Sequence, residues 1–96
     1  MINMIELTHQ EAINTCSFNL LAVAASLTNP DLMKFREVHG LVMCTSVYAF
    51  DLMENYNVTT EEVLNAIPEG GARNAAAETL KNINETITIL RRNIAG

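Results

Sequence analysis

The chain contains no tryptophan, and aromatic residues make up only 5% of its 96 positions. Cysteine occurs twice, proline twice and glycine four times. Each scarcity excludes something. Cys16 and Cys44 cannot build a disulfide framework, and free cysteine is a common buried residue. Charged residues reach 18%, against roughly 25% in ordinary soluble domains. Positive charge is the scarcer sign: 6 Lys and Arg face 11 Asp and Glu, a net charge of −5. An acidic chain without a lysine-rich stripe lacks the footprint that nonspecific phosphate-backbone binding requires. The longest apolar run, LLAVAASL, falls far short of the roughly 20 residues of a membrane span. The opening MINMIELTHQ is acidic and has no basic region of the kind that begins a secretory signal. These absences lead to the expectation of a soluble, cytoplasmic protein.

Against this thin polarity, apolar residues amount to 49%. The length allows one domain, 1–96, and a chain this short buries only roughly 60–65% of its unfolded surface. Surplus apolar residues in a small chain imply a surface shared with a partner. Strand signals are nearly absent, since no run alternates apolar and polar residues for long. The chain reads as an all-α bundle of three main helices, about 8–28, 30–56 and 71–94, with a short one at about 60–67.

The caps carry this reading. Thr8-His-Gln-Glu11 is a capping box, in which threonine and glutamate each satisfy an orphan N–H, and Leu7 before it suits a hydrophobic staple. Ile13, Cys16, Leu20, Val23 and Leu27 follow at helical spacing, and beyond Phe18 the helix is apolar nearly all round, as a central helix should be. Asn29-Pro30-Asp31 restarts the chain with an N-cap, a first-turn proline and an acid that complements the dipole. The second helix should then run unbroken for roughly 39 Å. Its core stripe would be Leu32, Phe35, Val38, Val42, Thr45, Ala49, Leu52 and Tyr56, widened by Leu41, Tyr48 and Met53. Gly40 interrupts it and suggests a close helix approach. Thr59-Thr-Glu-Glu62 is a second capping box, ended by Pro68. In the last helix Ala76, Leu80, Ile83, Ile87, Leu90 and Ile94 form a heptad stripe suited to coiled-coil packing, within or between chains. Leu80, Ile83, Ile87, Leu90 and Ile94 are therefore the expected oligomer interface of a homodimer or larger assembly.

Several chemistries can be weighed on residue type. Gly70, Gly71, Arg73 and Asn74 open the last helix, where bare amides and a guanidinium could hold a small anion such as a nucleotide. The glycines match neither a phosphate-binding loop closed by Lys-Ser/Thr nor a dinucleotide fingerprint. The same turn could belong to a helix-turn-helix, with Thr59–Ile67 before it and Ala72–Asn82 as the reading helix, but Glu61, Glu62 and Glu78 oppose a nucleic-acid partner. His9, Cys16, His39 and Cys44 lack the spacing of zinc ligands, and no metal or cofactor is expected. Cys44 with His39 or His9 would be the candidate Cys/His nucleophile pair, and no accompanying motif supports an enzyme. The leading expectation is a small non-enzymatic interaction protein, a regulator or inhibitor of a macromolecular partner such as phages and mobile elements carry. Asp51, Glu54, Glu61 and Glu62 would form its acidic contact face toward a basic partner.

Overall fold

A computed structural model describes residues 6–95, with the side chains of Leu90 and Ala95 excluded. Four α-helices follow one another: α1 (His9–Leu27), α2 (Arg36–Asn55), α3 (Thr60–Asn65) and α4 (Gly71–Ala95), with a 3-10 turn at Leu32–Lys34 between α1 and α2. Both predicted capping boxes form. Thr8 accepts from the Glu11 N–H while the Glu11 carboxylate accepts from the Thr8 N–H, and Thr59 and Glu62 repeat the arrangement. Leu7 packs against the core, as a staple should, and its N–H donates to the Tyr56 hydroxyl at 3.1 Å.

α1 is the hub. It packs against α2, α3, α4 and the 3-10 turn. Ala12, Cys16 and Leu20 are fully buried along it, and Val23 and Ala24 nearly so. Ala49 and Leu52 of α2, Val63 of α3 and Ala76 and Leu80 of α4 close around that stripe. A side chain such as Leu20 contributes about 1.5–3 kcal/mol by leaving water. Two polar contacts register the helices. The Cys16 thiol faces the Ala49 carbonyl at 3.5 Å, and the Ser17 hydroxyl bridges the Ile13 and Val63 carbonyls at 2.7 and 3.1 Å. The expectation that α1 is enclosed on all sides fails on one face, where Phe18 is 72% exposed beside exposed Ala22 and Ala25.

The predicted second helix is divided. Asn29 caps as expected, its side-chain oxygen accepting from the Asp31 and Leu32 N–H groups. The chain then makes one 3-10 turn and goes extended at Phe35 (φ −92°, ψ 127°) before α2 begins. The break removes an overhang. A single helix from residue 30 to 55 would overhang the 19-residue α1 by about two turns at 1.5 Å per residue. Breaking it lets the first turn fold back onto α1 and α2. His39 Nε2 donates to the Met33 carbonyl at 2.6 Å and satisfies an acceptor the break would strand. Accordingly Leu32 and Phe35 lie exposed instead of in the core stripe.

α2 ends in a Schellman closure. Asn57 takes a left-handed φ of 53°, and the Val58 N–H reaches the Met53 carbonyl at 2.9 Å. Val58 is buried and Met53 packs beside it in the core, the apolar contact such closures favour. α3 stops at Asn65, two residues before the expected Ile67, because Ala66 and Ile67 already turn toward Pro68. Gly70 has a φ of 142°, a conformation that only glycine adopts freely, and it delivers the chain into α4. No described helix is long and apolar enough to cross a membrane.

Candidate functional site

α2 and α4 both pack on α1, and they leave an apolar groove between them. Leu27 forms its floor at the end of α1, Val42, Met43 and Val47 one wall, and Ile83 and Ile87 the other. Its volume of 170 Å³ is below the roughly 300 Å³ at which small-molecule pockets begin, so it fits one or two side chains of a larger partner. Met43 and Val47 also border a shallow hollow on the outer side of α2 with Cys44, Tyr48 and Asp51. The two depressions thus form one continuous apolar surface. Leu41, expected in the core, is 69% exposed, and Tyr48 is half exposed. The helix phase explains both. Ser46, Ala49 and Leu52 face α1, which leaves Leu41 and Tyr48 on an uncovered flank roughly a quarter turn away and turns residues 40, 43, 44 and 47 to the opposite side. A signal for this surface exists in the sequence: apolar residues on α2 outnumber what one core stripe can bury.

The heptad stripe of α4 divides along its length. Ala76 and Leu80 are buried against the rest of the chain, so Leu80 belongs to the core of the single chain. Ile83 and Ile87 are half-buried in the groove wall. Leu90 lies outside the described side chains, and Ile94 is 86% exposed beyond the core.

At the predicted anion site the guanidinium is turned away from the helix start. Arg73 Nε donates to the Leu64 carbonyl at 2.8 Å, Nη2 to Asn65 Oδ1 at 3.4 Å, and Nη1 lies 3.6 Å from the Glu69 carboxylate. All three nitrogens close the corner between α3 and α4. The Asn74 N–H donates to the Gly70 carbonyl as the first bond of α4. Gly71 borders an open hollow lined by Leu21, Ala24, Ala25, Thr28, Ala72 and Ala75, mostly methyl groups, and the Thr28 hydroxyl there already donates to the Ala24 carbonyl at 2.9 Å. A reading helix for DNA would face the same arrangement, since Arg73 is turned back onto α3.

The four acidic residues meet different fates. Glu54 pairs with Arg91, which ties the far half of α4 to α2. Glu62 accepts from Thr59 within its cap and from His9 Nε2 at 2.7 Å, and its carboxyl is held below the usual range first by the Thr59 N–H and then by His9. Asp51 and Glu61 remain exposed, Asp51 on the rim of the outer α2 hollow.

The candidate metal and nucleophile residues do not converge. His9 faces the Tyr56 carbonyl through Nδ1 at 3.0 Å as well as Glu62, and His39 is bonded to the 3-10 turn. Cys16 is buried, which pushes its thiol up to about 11, whereas Cys44 is exposed on the outer side of α2. Among the described residues no group of three His, Cys, Asp or Glu side chains is placed to hold a metal ion. No family model, curated protein or solved structure matches this chain.

Proposed function

We propose that this chain is a small non-enzymatic interaction protein, a regulator or inhibitor that acts by covering part of a macromolecular partner. The observation that carries the reading is the apolar groove between α2 and α4, open to solvent in a chain with so little charge to surround it. Exposed apolar surface of this continuity costs solubility and is kept where it is covered in use. The groove takes a bulky apolar anchor, and Asp51 at the edge of the surface favours a partner carrying basic residues around that anchor.

The experiment compares captured proteins, in a native extract, between the parent chain and Ile87→Asp. Ile87 lies in the groove wall and not among the fully buried side chains, so the variant keeps its helical circular dichroism. The expected result is a specific protein retained by the parent and lost with Ile87→Asp. Equal recovery by parent and Ile87→Asp would remove the groove as the working surface.

A further inference from the structure

Gly40 sits in the fifth position of α2, and a side chain placed there would meet no atom within 4 Å. The close approach its sequence position suggested is therefore not made within the chain. On its face stand Arg36, Met43, Cys44, Val47 and Asp51, all exposed and opposite the side that packs on α1, with Glu37 and Glu54 beside them and Glu54 held by Arg91. Along this face a cation and a gap stand at one end, and a branched side chain and an anion at the other. Reversing the direction of a second α2 sets each against its complement. Among the described residues neither Arg36 nor Asp51 has an ion-pair partner in its own chain.

We infer that two copies of this chain pair through α2, antiparallel about a twofold axis between Met43 and Cys44, with Val47 of each copy seated at Gly40 of the other and Arg36 of each facing Asp51 of the other. Arg36 and Asp51 lie about 22 Å apart along the helix and equally far from that axis, as a self-complementary contact requires. This contact goes beyond the partner-binding reading: it takes Met43, Val47 and Asp51 from the α2 side of that surface and leaves Ile83 and Ile87, the α4 wall of the groove, outside the pairing face.

Sedimentation equilibrium of the full chain between about 1 and 100 μM tests the pairing. The parent should dimerise within that range. Gly40→Gln has room in the single chain and keeps or raises its thermal stability, yet should weaken dimerisation at least tenfold. Arg36→Asp should weaken it similarly, and adding Asp51→Arg should restore it to within about threefold, because the swap re-forms both ion pairs. A short bis-maleimide should join two chains through Cys44, since Cys16 is buried. A strict monomer at 100 μM overturns the inference. So does a dimer indifferent to Gly40→Gln and to the charge swap, which would put the contact elsewhere. The partner reading keeps its own variant, Ile87→Asp, on the α4 wall away from the pairing face, so the failure of either reading is told apart from that of the other.

Discussion

His9 is the residue with the most consequence for its size. Both ring nitrogens face acceptors, the Tyr56 carbonyl and the Glu62 carboxylate, so the imidazolium, which donates from both, is the form that fits. The Glu62 hydrogen bond foremost holds its pKa above the ordinary 6.5. This contribution to stability is fully present below 6.5 and is lost as the pH rises through the higher folded value. Glu62, whose carboxyl is depressed from an ordinary 4.5, contributes above that value and loses its contribution as the pH falls through the lower folded one. Urea midpoints should therefore stay level between 4.5 and 6.5 and fall on the alkaline side. In His9→Gln the alkaline fall should vanish while the acid limb remains; an unchanged alkaline limb would show that another group causes it. None of this was legible in the sequence, because His9 and Glu62 stand 53 residues apart and only the fold brings them together. What was legible nearby is local: both capping boxes, read from residues three apart, form as expected.

Helices are where local signals and packing compete. The closure of α2 at Asn57 depends on a residue that tolerates a left-handed backbone, and Asn57→Ala should cost about 1–2 kcal/mol in chemical denaturation. Gly40→Ala should instead raise the stability of the single chain by up to about 1 kcal/mol, since α2 is regular there and open to solvent. Thermal melts of the two variants should move in opposite directions. On α1, Leu20→Ala should cost about 2–5 kcal/mol, because its side chain is fully enclosed where the helices meet. The apolar periodicity revealed α1 and α4 almost to the residue, and the buried Ala76 and Leu80 lie on the predicted stripe. It misjudged α2, for the pattern from Leu32 to Tyr56 contains no sign that α1 is too short to cover its beginning. The groove was hidden for a related reason. Leu41 and Tyr48 read as widening the core stripe until the packing shows how narrow a side of α2 faces α1.

The whole molecule is organised around one helix instead of a ring of mutual neighbours. The far half of α4, with Ile89 and Ile94 exposed, is tied back by the ion pair of Arg91 with Glu54. Amide exchange along α4 should therefore be slowest around Leu80 and quicken toward Arg91. Glu54→Ala should quicken it further at that end, while changing global stability by no more than about 1 kcal/mol, as expected for an exposed pair. Uniform protection along α4 would contradict this gradient. The central position of α1 also has a meaning in time. It precedes every element that covers it, and Leu80 is synthesised 53 residues after Leu27. At roughly 5–20 residues per second, the most apolar helix of the chain waits several seconds for its last cover. During that interval its Leu20 and Val23 face are open to chaperones and to other nascent chains, so the yield of folded protein should depend on how fast α4 is made.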